Sequence, residues 1–121
     1  MRYRRDEAFR FEFEEPVPIT FTIDELNGKP VQTSDGDAKL LDISLRGMKI
    51  RTSLLLPVSK QHVVKLTTHF QLNNHEYAIR GILVWKKQRL SDCYYGIQFL
   101  TNAEFKKDLL DDLKLIGKRL V

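Results

Sequence analysis

Asp42, Ser44 and Gly47 stand together in Asp42-Ile-Ser-Leu-Arg-Gly47, and a set of arginines, Arg2, Arg4, Arg5 and Arg10, precedes them near the start of the chain. A carboxylate and a hydroxyl two residues apart can meet the polar edge of a purine, and a glycine lets backbone amides come close to a ligand. Guanidinium groups supply planar donor forks that neutralise phosphates and stack on bases. The combined chemistry points to an anionic, base-containing ligand. Each half also has a plain reading: Asp and Ser often bond nearby backbone groups in turns, and a basic terminus can simply keep a chain in solution.

These residues need elements to position them, and the hydrophobic pattern is mainly that of strands. Val17, Ile19, Phe21 and Ile23 alternate with Pro18, Thr20 and Thr22, which predicts a strand from Pro16 onward. Asn27-Gly28 suits a tight hairpin, Lys29 to Thr33 starts the returning chain with Pro30 near an edge, and Ser34 to Asp37 makes another turn. Runs at 38–44 and 48–52 then flank the Asp42 to Gly47 motif. Val64, Leu66, Thr68 and Phe70 alternate up to a reversal at Leu72-Asn-Asn-His75. In the following strand Tyr77 and Ile79 share one phase while Ile82 and Val84 share the other, which predicts a β-bulge at Gly81. Tyr95, Ile97 and Phe99 mark a last strand. Thr101-Asn-Ala-Glu104 has capping-box spacing, and Phe105, Leu109, Leu113, Ile116 and Leu120 recur at helical intervals, so an amphipathic C-terminal helix is expected to pack on the sheet or over a barrel end, with a partner helix in an oligomer as the alternative use of the same stripe.

The chain's 121 residues fit one domain, with residues 1–15 expected as a flexible arginine-rich arm and 16–121 as the folded body. A net charge of +4 is compatible with an anionic partner. No apolar run is long enough to span a bilayer and no hydrophobic segment follows the basic start, which makes the cytoplasm the expected compartment. Cys93 stands alone, as expected of a buried structural thiol. His62, His69 and His75 are dispersed, and Asp111-Asp112 reads as a solvated acidic pair, so no metal or cofactor site is expected. No nucleophile-base set or phosphate loop points to an enzyme. Trp85 is expected as a core or interface anchor.

The arginine-rich entrance, Asp42-x-Ser44-x-x-Gly47 and the late Tyr95-Gly96-Ile-Gln-Phe99 strand occur in an order that resembles the PilZ domain family of cyclic di-GMP receptors, over roughly residues 4 to 110. The resemblance implies a small antiparallel β-barrel, six-stranded or similar, with a C-terminal helix. It also implies cyclic di-GMP as ligand, and a downstream protein partner whose recognition changes on binding. Arg5 and Arg10 become the leading phosphate and guanine contacts with Arg4 a close third, Asp42 and Ser44 the pair for a guanine edge, and Gly47 the point of close approach. Four residues separate Arg5 from Arg10, one more than in the family's arginine pair, and in an extended segment one extra residue reverses side-chain direction. Two alternatives remain open. One is a PilZ-like protein-interaction module without nucleotide binding. The other is a small barrel that binds single-stranded nucleic acid through its basic residues and Tyr3, Phe9, Phe11 or Phe13, although the modest basic excess makes nucleic acid an unlikely partner. The oligomeric state is not encoded in any of these features.

Overall fold

The computed structural model describes residues 10–59, 61–100 and 105–119. Seven strands precede one helix: β1 (Arg10–Leu26), β2 (Lys29–Pro30), β3 (Gly36–Ser44), β4 (Gly47–Thr52), β5 (Val64–Leu72), β6 (His75–Arg89), β7 (Asp92–Phe99) and α1 (Lys106–Arg119). The strands lie in the order β2-β1-β3-β4-β7-β6-β5, and an additional β1–β5 pairing closes six of them into a ring. Every pairing is antiparallel. The expected small six-stranded barrel with a C-terminal helix is therefore the fold.

Turn chemistry sets the hairpins. Asn27 and Gly28, between β1 and β2, have φ of 53° and 81°, and Asn73 and Asn74, between β5 and β6, have 51° and 67°. Both central residues of each loop thus sit at positive φ, the geometry that asparagine and glycine tolerate best. The inward row Ile43, Met48, Ile97 and Leu83 runs across four strands by direct pairing, and all four side chains are buried. With Leu40, Ile50, Leu66, Ile79 and Tyr95 they fill a barrel too narrow to hold anything but side chains.

Two sequence expectations about the strands change. First, β1 begins at Arg10 rather than Pro16, because Arg10, Phe11 and Glu12 pair with Ser44, Ile43 and Asp42. The residues expected as the end of a flexible arm therefore belong to a strand as far as they are described. Second, Gly81 keeps the phase of Tyr77, Ile79 and Leu83, and the irregularity falls between Leu83 and Trp85. Gly81 is required by crowding instead: a Cβ there would lie 2.4 Å from Ile97 Cγ2 and 2.9 Å from the Gln98 carbonyl oxygen. Ile82 is accordingly only half-buried and Val84 is exposed, where both were expected to face the core. In addition, β3 slips against β4 between Leu40 and Asp42. That bulge at Leu41 keeps Leu40 and Ile43 inside and turns Asp42 and Ser44 to the outer surface.

The helix closes one barrel end, as its apolar stripe predicts. Leu109 and Leu113 are fully buried, and Phe105 and Ile116 pack against the core, with Phe99 and Phe105 edge to face at 5.6 Å. The proposed cap at 101–104 and the last stripe residue, Leu120, lie outside the described residues. Asp112 does not lie in solvent. It is 4% exposed and accepts hydrogen bonds from Asn73 Nδ2 (3.1 Å) and the Tyr77 hydroxyl, with His75 Nδ1 at 2.9 Å. Asn73 Nδ2 also donates to the Asp112 carbonyl at 3.0 Å, which ties α1 to the β5–β6 turn. Cys93 is buried, as expected. No described helix is long and apolar enough to cross a membrane.

Candidate functional site

Direct pairing lines up Glu12, Asp42, Lys49, Gly96 and Trp85 across β1, β3, β4, β7 and β6 on the outer surface. Asp42 is the acidic centre of that row. Glu12 stands directly opposite it, an unfavourable like-charge pair, and two cations offset the repulsion: Arg10 Nη1 donates to Asp42 Oδ1, and Lys49 Nζ lies 3.5 Å from Oδ2. The carboxylate is almost covered, while Arg10 and Lys49 keep side-chain exposures of 47% and 39%. Each cation therefore has donors left for a ligand at the surface.

Ser44 and Gly47 have structural work in the same place. Ser44 Oγ accepts from the Arg46 and Gly47 amides (3.1 and 3.2 Å) and donates to the Gly47 carbonyl at 3.3 Å, closing the two-residue turn Leu45-Arg46. This is the local turn role open to a serine in such a motif. A Cβ on Gly47 would lie 2.3 Å from the Ile97 carbonyl oxygen, so glycine is needed for β7 to approach. The Arg46 carbonyl in turn accepts from the Phe99 amide at 2.8 Å. The motif thus builds the corner that presents Asp42, Lys49 and the exposed Arg46.

Of the sequence-derived residues, Arg10, Asp42, Ser44 and Gly47 come together, and Arg4 and Arg5 lie outside the described residues. Lys49 was missed, although its place opposite Asp42 follows from a two-residue turn at 45–46. Trp85, expected as a core or interface anchor, is 42% exposed and so lies outside the core. Its indole lies on Gly96: a Cβ there would fall 1.9 Å from Nε1. One indole face thereby covers backbone and the other is offered to solvent, a platform for a planar partner. Phe11 is buried and the half-buried Phe13 packs edge to face on it at 5.0 Å, so both aromatics help anchor β1 to the core. A groove of about 690 Å³ lies elsewhere, lined by Pro18, Thr20, Asp37, His69, Gln71 and Glu76 among others. Its two carboxylates make it a poor receiver of phosphate. Among the described residues no group of three His, Cys, Asp or Glu could hold a metal.

The family model of the PilZ domain matches residues 3–114 of the chain. The chain belongs to the PilZ domain family. Among solved structures, the PilZ domain of CeSA from a cellulose-synthesizing bacterium superposes with a TM-score of 0.60 over 91% of this chain and 99% of that one, at 9% identity. That likeness is one of fold. No curated protein matches the chain. PilZ domains are known as cyclic di-GMP receptor modules and act by binding.

Proposed function

We propose that this PilZ domain is a cytoplasmic cyclic di-GMP receptor that alters the recognition of a downstream protein when it captures the nucleotide, without catalysing a reaction. The observation that carries this reading is the outward row from Asp42 through Lys49 to Gly96, on which Trp85 lies flat, with Arg10 reaching Asp42 from beside the row. A cyclic dinucleotide offers two anionic phosphodiesters and two guanines. In this reading Arg10 and Lys49 meet a phosphodiester, the Asp42 carboxylate accepts from the N1–H and N2–H edge of one guanine, and Trp85 stacks on a base. Arg4 and Arg5 complete the anion cradle from the preceding segment. Ser44 and Gly47 act by holding the corner that aims Asp42.

Arg10 is the residue on which the mechanism turns. Its guanidinium rests on Asp42, and a bound guanine that takes the same carboxylate displaces that contact and hands the arginine to the ligand's phosphate. The segment leading into β1 then moves with it, and the differential contacts between free and bound states supply the signal to the partner. Calorimetric titration with cyclic di-GMP, with the linear guanine dinucleotide and GTP as controls, tests the reading. Saturable binding selective for the cyclic compound is expected. Absence of heat and of any Trp85 fluorescence change would leave the protein-interaction module as the better account.

A further inference from the structure

Leu90 breaks two local rules at once. It is the first residue of the two-residue loop between β6 and β7, its φ is 53°, and it is 100% exposed. At that position a tight hairpin favours glycine, and an L residue with a branched side chain is strained by about 1–2 kcal/mol. Neither turn geometry nor burial accounts for leucine there, and strain of this kind at a surface tip points to a use outside the fold.

Two further leucines lie at the same barrel end. Thr52, the last residue of β4, pairs with Cys93 near the start of β7, so the chain leaving β4 emerges beside the Leu90 tip. Leu54 and Leu55 are 42% and 68% exposed. Their loop is fixed from below: the buried Tyr95 hydroxyl donates to the Leu54 carbonyl at 2.9 Å and accepts from the Leu56 amide at 2.7 Å, and Thr52 Oγ1 accepts from the Leu54 amide at 3.2 Å. Burial pushes the Tyr95 phenol up to about 12, which keeps its proton available for the Leu54 bond at any physiological pH. The loop that carries the two leucines is thus held in place by the framework, with a Leu54 methyl resting beside Gly36 and Leu55 the more exposed of the two.

Behind the tip lie cations. Arg89, Lys87 and Lys86 are one, three and four residues back along β6, and none forms an ion pair among the described residues. At about 3.3 Å per residue they sit roughly 3 to 13 Å behind Leu90. Apolar groups in a bilayer interface sink about 5–10 Å below the charged head groups, so this layering places leucines among acyl chains with the cations at phosphate level. A protein-binding hot spot is built around Trp, Tyr or Arg in a central pocket, whereas this tip ends in a fully exposed aliphatic side chain.

We propose that the β6–β7 tip and the β4–β5 loop dock this domain peripherally on an anionic lipid surface, with Leu90, Leu54 and Leu55 entering the interface and Lys86, Lys87 and Arg89 binding lipid phosphates. The site shares no residue with the nucleotide reading and stands or falls separately. Co-sedimentation of the full chain with phosphatidylglycerol-containing vesicles tests it, with pure phosphatidylcholine vesicles as control. Binding is expected to the anionic vesicles and to weaken as salt rises. Leu90→Gly places the turn's favoured residue at the tip, so the fold is retained, and it is expected to lower the bound fraction about tenfold. Lys86→Gln with Lys87→Gln is expected to weaken binding to the anionic vesicles by more than about tenfold. The proposal is overturned if the wild-type chain stays in the supernatant at low salt, if Leu90→Gly sediments as well as wild type, or if phosphatidylcholine alone binds equally; retention of a protein by that end in the absence of vesicle binding counts against it as well.

Discussion

Asp42 on the barrel flank and Asp112 on α1 are equally covered, at 4% exposure each, but they are satisfied by different partners. Asp42 is neutralised by Arg10 and Lys49, long cationic side chains with much of their length in solvent. Asp112 is held by Asn73, His75 and Tyr77, short side chains on or beside the β5–β6 turn. The first arrangement can be exchanged, since a phosphate or a guanine edge replaces what either partner loses. The second is a fastening between helix and barrel, and removing it strands buried polar groups. Burial of a carboxylate by itself therefore does not mark a ligand site; the exchangeability of its partners does.

The largest effect is expected on the fastening side of that contrast. Asp112→Ala should cost about 3 kcal/mol in urea unfolding, because the Tyr77 hydroxyl and Asn73 amide lose a charged acceptor within the interface. Asp42→Ala should cost under about 1 kcal/mol, since its two partners regain water. If the two substitutions prove equally destabilising, the distinction drawn between the carboxylates fails.

On the ligand side the order reverses. Asp42→Ala and Arg10→Ala are each expected to weaken cyclic di-GMP binding at least about tenfold in calorimetry, as each removes a charge-assisted contact of about 1.5–3 kcal/mol. Asp112→Asn, which keeps α1 in place through its remaining hydrogen bonds, should leave affinity unchanged. Trp85→Ala should lose about 1–3 kcal/mol of affinity for one stacked base while barely moving the unfolding midpoint, the exposed indole contributing little to the core. A large stability loss with normal binding would assign Trp85 to packing alone.

The smallest effect concerns pH. Burial pushes the Asp112 carboxyl up, but the hydrogen bonds from Tyr77, His75 and Asn73 outweigh it and hold the group below its ordinary 3.8. Its contribution to stability is therefore full above 3.8 and fades as pH falls through the depressed folded value. His75 is raised above its ordinary 6.5, chiefly by its hydrogen bond to Asp112 and then by that carboxylate's charge. Its contribution is full below 6.5 and is lost as pH climbs through the raised folded value. Stability should thus level off between pH 3.8 and 6.5 and decline on both sides. In urea melts across pH, His75→Gln should flatten the alkaline limb only; an unchanged limb would exclude His75 as its source.

Much of the fold was legible because its signals are local. Period-two runs gave six of the strands, Asn27-Gly28 and Asn73-Asn74 gave their turns, and the spacing of Leu109 and Leu113 gave the helix face. The misplaced bulge at Gly81 has a simple cause: a glycine in a strand signals either a break in register or a close neighbour, and here the neighbour is Ile97. Asp112 was read as solvated because it adjoins Asp111 on a charged helix, and nothing in that stretch shows that a histidine and a tyrosine on β6 and an asparagine before it wait beneath it.

The sequence by itself determined the alternation, turns and helical stripe that make a small barrel with a covering helix, together with the Asp-x-Ser-x-x-Gly corner, because each depends on neighbours within a few residues. Only the tertiary structure decided which way Asp42 faces. Strict alternation puts it on the same side as Leu40, inside the barrel, and the slip at Leu41 against β4 turns it out to meet Arg10 and Lys49. That slip is a matter of pairing between strands, as is the seating of Trp85 on Gly96, and pairing is settled by the closing of the ring.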